Sequence, residues 1–331
     1  MSLDERLKRR IAEQGPITVA DYMQACLHDP EDGYYATRPA LGGDFITAPL
    51  ISQMFGELLG AWAADVWTQM GAPARLRLVE LGPGDGTMMT DMLRAARAAP
   101  GFCEALELNF VETSAPLRAL QAEKHPSARW FDELRELGSD APVIILANEF
   151  LDCLPVCQSV RTAAGWRERR VGLSPSGALA FTPDAGRVVE SSPTAKAFAG
   201  EVAGLIGAAG GAALFIDYAG DGRGDTLQAV RRHTKECALT SPGEADLTVR
   251  VDLAAFLNAA RDVQAFGPTS QADFLNVLGL LARAATLARA NPDQADRIAR
   301  QVERLTALDQ MGELFQVVCL AAPGLQPSGF A

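Results

Sequence analysis

The sequence predicts an α/β fold, an open sheet with flanking helices, on three observations. One is the stretch Arg75 to Thr87, R-L-R-L-V-E-L-G-P-G-D-G-T, an apolar run followed by three glycines at two-residue spacing and a helix start. Another is a series of further apolar runs of strand length at 108–113, 128–131, 142–147, 212–218 and 314–320. Helical patterns separate most of these runs, which is the third. In sheets of this kind ligands bind just beyond the carboxyl ends of the strands.

Within the glycine stretch, Leu76, Leu78, Val79 and Leu81 read as a buried strand with Glu80 near its C-terminal end. Gly82, Gly84 and Gly86 follow, and Thr87 opens a helix over Met88–Ala98. Glycine lets the backbone pass close to a cofactor with no Cβ in the way. The spacing is not the G-x-G-x-x-G that brings a pyrophosphate onto a helix N-terminus. An acidic residue ahead of G-x-G-x-G suits S-adenosylmethionine, which has no phosphate but carries an amino acid moiety and a sulfonium. A glycine turn by itself is also what any tight turn uses, so the neighbouring residues must supply the specificity.

With 331 residues, 48% of them hydrophobic, the chain can bury a large core, and a single large domain with insertions is expected. Residues 1–70 form a helical cap segment in this reading, and 71–331 a core with insertions at about 156–210 and 220–310. Neither a long apolar run nor a secretion signal is seen, so a soluble protein of the bacterial cytoplasm is expected. A net charge of −11 argues against nucleic acid as a partner, because such binding uses Lys and Arg against phosphate. Cys26, Cys103, Cys153, Cys157, Cys237 and Cys319 form no C-x-x-C pair and read as reduced thiols. His28, His125 and His233 are far apart in sequence, and no metal site is proposed.

In chain order, Leu3, Leu7 and Ile11 mark a helix over 3–14, ended by Gly15-Pro16. Thr18 with Asp21 three residues on caps a second helix to about His28. After the turn Pro30–Gly33 and the pair Tyr34-Tyr35 comes Gly42–Pro49, G-G-D-F-I-T-A-P, a loop suited to lie over a site and carrying Asp44 and Thr47. A long apolar helix then runs from Ile51 to about Trp67. The strand 108–113 brings Glu112 to its end, where a fold of this type binds ribose hydroxyls through a carboxylate. Asp132, just past the next strand, either accepts from an adenine amino group or caps the following helix.

The strand over Pro142–Ala147 runs into Asn148-Glu-Phe-Leu-Asp-Cys-Leu-Pro155. Polar and acidic residues directly after an apolar strand are placed for chemistry, which puts Asn148, Glu149 and Asp152 ahead of other candidates. An inserted antiparallel meander is expected over about 156–181, then a helix over 194–206 and a strand 212–218 with Asp217 at its end. Residues 220–248 read as loop-rich, with a strand at 248–251 and a helix at 253–260. Two amphipathic helices, 271–290 and 292–308, form a helical hairpin before the last strand.

Five ordered blocks, G-G-D-F-I-T-A-P-L-I-S-Q-M-F-G-E (42–57), L-V-E-L-G-P-G-D-G-T (78–87), N-E-F-L-D-C-L-P (148–155), F-I-D-Y (215–218) and D-T-L-Q-A-V-R-R-H (225–233), resemble the MidA-like family of methyltransferases. Weaker echoes lie at 244–248 and 310–317, and Asp85 departs from the Arg that many relatives carry there. The resemblance implies a Rossmann-like, seven-stranded class I methyltransferase sheet binding S-adenosylmethionine. Eukaryotic members include a mitochondrial assembly factor for respiratory complex I, which implies a protein substrate and symmetric dimethylation of an arginine on a complex I subunit. On this view Glu80, Gly82, Gly84, Gly86, Thr87, Glu112, Asp132 and Thr47 hold the cofactor. Glu149 grips the acceptor, Asp44 or Asp152 is the second carboxylate, Asn148 orients the site, and the segment 42–49 excludes water. A small-molecule methyltransferase and a non-catalytic, cofactor-binding assembly chaperone remain alternatives. The missing G-x-G-x-x-G disfavours a nicotinamide dehydrogenase.

Overall fold

The computed structural model describes residues 1–37 and 47–330. Asp44, with the front of the 42–49 loop, lies outside the described residues.

At the centre is a seven-stranded sheet, here numbered along the chain as β1 (Leu76–Leu81), β2 (Leu106–Val111), β3 (Arg129–Phe131), β4 (Val143–Asn148), β5 (Gly211–Tyr218), β6 (Gln264–Ser270) and β7 (Phe315–Ala321). Its spatial order is β3-β2-β1-β4-β5-β7-β6. β3, β2, β1, β4 and β5 are mutually parallel, and β7 runs antiparallel between β5 and β6. The order reverses between β1 and β4, and a crevice at the carboxyl ends there is where ligands bind in such sheets.

Both faces of the sheet are covered, which is why its strands are continuously apolar rather than alternating. Successive residues point to opposite faces. Leu78, Ile144, Leu214 and Val317 join Phe55, Trp62 and Met92 of helices Gln53–Gln69 and Thr87–Ala96. Their neighbours Val79, Ile145, Phe215 and Val318 pack on the other side against Val202, Ile206 and Phe256 of helices Pro193–Ala209 and Leu253–Ala259. A third, smaller core holds Leu3, Leu7 and Ile11 of helix Leu3–Gln14 with Tyr22 and Met23 of helix Val19–His28. Thr18 caps the second of these helices by accepting from the Asp21 N–H, as its position predicts.

The structure departs from the sequence reading in four places, one being the expected single helix over 271–290, which is two. The expected single meander is two three-stranded sheets. Cys157–Thr162 pairs with Arg187–Ser191 on one side and Gly165–Glu168 on the other, whereas Arg170–Leu173 pairs with Leu179–Thr182 and with Ile17–Thr18. The break falls at Arg169, which turns inward. Its guanidinium bonds Gln158 and Asp225 and lies 3.9 Å from the Phe181 ring centre. The region 220–248 also contains a small sheet of Gln228–Arg231, Thr234–Glu236 and Asp246–Thr248. Finally, β6 carries Gly267-Pro268 at a register shift, the composition of an edge strand with a bulge, and so gives no strand signal in sequence. The helices after it are Gln271–Val277, Leu280–Ala290 and Ala295–Thr306, the first pair separated by Gly279.

Candidate active site

A cleft of about 590 Å³ opens at the carboxyl ends of β1, β2 and β4, within the size range of small-molecule sites. Its floor is the glycine turn. Gly82 and Gly84 line it with φ of +60° and +56°, backbone that L side chains rarely adopt. The Gly82 N–H donates to Val111 C=O at 3.0 Å, tying the turn to the end of β2. A Cβ on Gly82 would stand 3.2 Å from the Phe150 ring, which itself lines the cleft.

One end of the cleft is built by β2 and β3. The Glu112 carboxylate accepts from Ser114 N–H at 2.8 Å and Gln121 Nε2 at 3.2 Å, and burial pushes its pKa up. A carboxylate has acceptor sites for more than two donors, so Glu112 retains capacity for a diol. Asp132 lines the cleft and pairs with Arg118 Nη2 at 2.7 Å. Glu133, not Asp132, stands at the N-cap position of the short helical turn Leu134–Glu136, so the capping alternative for Asp132 is not what forms.

At the centre lies the sharp turn after β4. Glu149 has φ +53°, and its N–H is held by Ile216 C=O at 2.9 Å. Asp217, at the end of β5, accepts from the Phe150 and Leu151 N–H groups at 3.1 and 2.7 Å. Glu149 Oε1 accepts from Asn148 Nδ2 at 3.0 Å and from Ala48 N–H at 3.4 Å. Burial first, with Asp217 and Asp246 adding repulsion, pushes the Glu149 pKa up to about 8 against those two bonds. Asp152 is buried and raised for the same reasons, desolvation first and then the charges of Asp217, Glu149 and Asp246. For Asp217, burial outweighs its backbone N–H bonds, and its pKa also rises.

The far wall is aromatic and acidic. Tyr35 donates its hydroxyl to Asp246 Oδ1 at 2.9 Å, and the Tyr35 ring meets those of Tyr34 and His28 at 5.2 and 5.7 Å. All four residues, with Thr47 and Tyr218, line the cleft. Six carboxylates face it (Glu112, Asp132, Glu133, Glu149, Asp152 and Asp246), and among the described lining residues there is neither Lys nor Arg. Such a cleft is built for cations.

The structure thus brings Gly82, Gly84, Glu112, Asp132, Thr47, Glu149 and Asp152 to one cavity, with Asn148 bonded to Glu149. Three assigned residues stand behind it. Thr87 directs its N–H and hydroxyl to Asp85, both at 2.9 Å, and is not in the lining. Asp85 takes this turn-closing role with Lys124 at 2.8 Å, so Lys124 balances its charge. Gly86 accepts through its carbonyl a contact from His125 Nε2 at 2.9 Å and starts the helix at φ +78°. Glu80 is sealed at 3% exposure, and burial raises its pKa well above the ordinary value. Its Oε2 has no hydrogen-bond partner among the described residues.

These features fit S-adenosylmethionine. The glycine floor admits close approach, Glu112 suits a ribose diol, and the acidic lining suits a ligand carrying a sulfonium and an ammonium. Sequence reasoning missed Tyr34, Tyr35, Asp246 and the positioning role of Asp217. The only signals were a tandem tyrosine after a turn and an Asp at the end of the F-I-D-Y strand.

Comparison with known proteins agrees. The sequence model of a family described as S-adenosyl-L-methionine-dependent methyltransferase matches residues 58–185 and 177–269. Protein arginine methyltransferase NDUFAF7, mitochondrial, of Danio rerio is 34% identical across 95% of this chain and 86% of its own length. The Homo sapiens protein of the same name is 34% identical across 95% of this chain and 82% of its own. A crystal structure of a Burkholderia thailandensis protein bound to S-adenosyl-homocysteine superposes with a TM-score of 0.87 at 28% identity, covering 99% of this chain and 93% of that one. The glycine floor, the acidic cleft and these likenesses together make the chain a member of this family of S-adenosylmethionine-dependent methyltransferases.

Proposed function

We propose that the methyl acceptor is an arginine side chain of a protein. The observation that carries this reading is the cleft lining, six carboxylates with Tyr34, Tyr35 and His28 and neither Lys nor Arg among the described residues. A guanidinium is cationic at physiological pH, binds carboxylates through a planar fork and stacks on aromatic rings. The names of the NDUFAF7 relatives support the same acceptor. A closed apolar pocket would instead favour a neutral small molecule.

When bound, S-adenosylmethionine supplies an electrophilic methyl group. The task of the chain's own residues is to align an acceptor nitrogen and raise its nucleophilicity. Glu149 grips the guanidinium, with Asp152 as the second carboxylate. By localising positive charge on the nitrogens they hold, they leave the reacting nitrogen richer in electrons. Methylation of a guanidinium releases one proton, and Glu149, poised near neutrality, is the group that takes it. Asn148 holds the Glu149 carboxylate, and Glu112 and the glycine floor hold the cofactor. The narrower proposal, drawn from the resemblance to the complex I assembly factor, is symmetric dimethylation of an arginine on an NADH-quinone oxidoreductase subunit.

Glu149→Gln tests the assignment. It should leave S-adenosylmethionine binding by calorimetry within about twofold while abolishing methyl transfer. Parallel loss of binding would move Glu149 to the cofactor. Mass spectrometry of arginine methylation in a strain lacking the gene identifies the acceptor, and an unchanged arginine methylome overturns the proposal.

A further inference from the structure

A side chain of the helices inserted ahead of β7 is bonded to the segment that leads into the active site. Gln301, on helix Ala295–Thr306, donates from Nε2 to the Ile51 carbonyl at 2.7 Å, and its Oε1 accepts from the Ser52 hydroxyl at 3.3 Å. Ile51 and Ser52 close the single turn Ala48–Ile51, whose first N–H donates to Glu149 Oε1. The neighbouring helix Leu280–Ala290 grips the same segment one step on. Arg283 holds the buried Glu57 carboxylate through Nε and Nη2 at 2.7 and 2.9 Å, and Glu57 belongs to the helix that Ser52 caps.

Gln301 is an odd residue for its place. Ile298 and Leu305 of the same helix are buried, and residue 301 falls between them at i+3 and i−4, on the stripe that ordinarily carries an apolar side chain. A polar group there is expected to meet a specific need, and here both of its amide atoms are used.

We propose that Gln301 is a positioning residue for methyl transfer, fixing the turn 48–51 so that Ala48 holds the Glu149 carboxylate toward the acceptor. The inference rests on the reading of Glu149 as the acceptor-gripping group. Two donors hold that carboxylate, Asn148 and Ala48. Among the described residues the other charged or titratable groups around it are Asp152, Asp217, Asp246 and Tyr218, and the three acids repel it. The Ala48 bond is 3.4 Å long, near the limit of hydrogen bonding, so a small slackening of the turn breaks it. A misplacement of about 1 Å in a catalytic group costs on the order of 100-fold in rate.

Gln301→Met keeps the length and helix propensity of the side chain and deletes both bonds. The assay is transfer of labelled methyl from S-adenosylmethionine to proteins of cells lacking the enzyme, with calorimetry of S-adenosylhomocysteine alongside. The expected result is at least a tenfold lower rate, cofactor affinity within about twofold, and an acid limb of the pH–rate profile moved to higher pH. The shift has that sign because the Ala48 N–H favours ionised Glu149. Gln301→Glu, which retains only the bond from Ser52, should reproduce the loss if the methionine variant fails to fold. An unchanged rate and profile, or a rate that falls only in step with cofactor affinity, overturns the proposal. Activity in Glu149→Gln would instead defeat the underlying reading of Glu149. An inactive Glu149→Gln beside a fully active Gln301→Met defeats this inference alone.

Discussion

Asp217 Oδ2 accepts the Leu151 N–H at 2.7 Å, so a carboxylate at the end of β5 fixes the turn that follows β4. The same oxygen takes the Phe150 N–H, and Oδ1 takes that of Tyr218. Asp217→Asn should therefore loosen the turn carrying Glu149 and Asp152. Hydrogen bonds to a charged partner are worth about 1.5–3 kcal/mol each, and the amide retains part of them, so a loss of about 2 kcal/mol is expected. Denaturant unfolding checks it, and an unshifted midpoint at unchanged slope would show that the turn stands without Asp217.

The glycine floor makes a separate prediction. Gly84 sits at φ +56° in the cleft lining, and a β-branched side chain there is strained by about 1–3 kcal/mol besides obstructing the ligand. Gly84→Val should lower S-adenosylhomocysteine affinity by tenfold or more. Calorimetry that returns wild-type affinity would place the donor elsewhere.

Stability should fall as pH rises toward mildly alkaline values. Glu149, Asp152, Asp217, Glu80 and Glu112 all have pKa values raised in the fold, burial being the largest cause in each. Above about pH 4 the unfolded chain has released protons that the native state retains, so each group erodes stability until pH passes its folded pKa. For Glu149 that limit is about 8. The slope per group reaches at most about 1.4 kcal/mol per pH unit. Carboxylates with lowered pKa, such as Glu57 beside Arg283 and Arg94, act in the opposite sense and only at acid pH. Unfolding midpoints measured from about pH 5.5 to 8 should decline for the free protein and decline less for Glu149→Gln.

The sheet was legible because its buried strands are written as unbroken apolar runs; β1, β4 and β5 announce themselves, and Glu80, Glu112 and Glu149 stand near or just beyond their strand ends. The edge strand β6 was not, since Gln264–Ser270 pairs on one side only and carries Gly and Pro. The donor half of the site is local in sequence and could be found by spacing. The far wall could not, because Tyr35 and Asp246 are joined by a bond across 211 positions, and no period or motif links them.

That bond yields its own expectation. Tyr35→Phe keeps the ring and removes the hydroxyl that holds Asp246. Cofactor affinity should stay as it is, while KM for the protein acceptor rises by about 3–10-fold, the cost of a lost hydrogen bond of about 1 kcal/mol. Equal weakening of cofactor binding would assign the far wall at Tyr35 to the cofactor instead.

Arg118 ties the ends of β2 and β3 together, donating from Nε to the Glu112 carbonyl at 2.6 Å and pairing with Asp132 at 2.7 Å. The two halves of this contact differ in weight. The Asp132 side chain is 67% exposed, so the ion pair contributes about 1 kcal/mol or less. The bond to the Glu112 carbonyl sets the strand end from which that carboxylate reaches the cleft. Arg118→Met should therefore weaken S-adenosylhomocysteine binding more than Asp132→Ala does. Arg118→Lys should restore it only in part, because a single ammonium nitrogen does not reproduce the separated Nε and Nη2 donors that reach the carbonyl and the carboxylate. If Asp132→Ala matches or exceeds the arginine variant in calorimetry, Asp132 contacts the adenine itself, and Arg118 serves only to aim it.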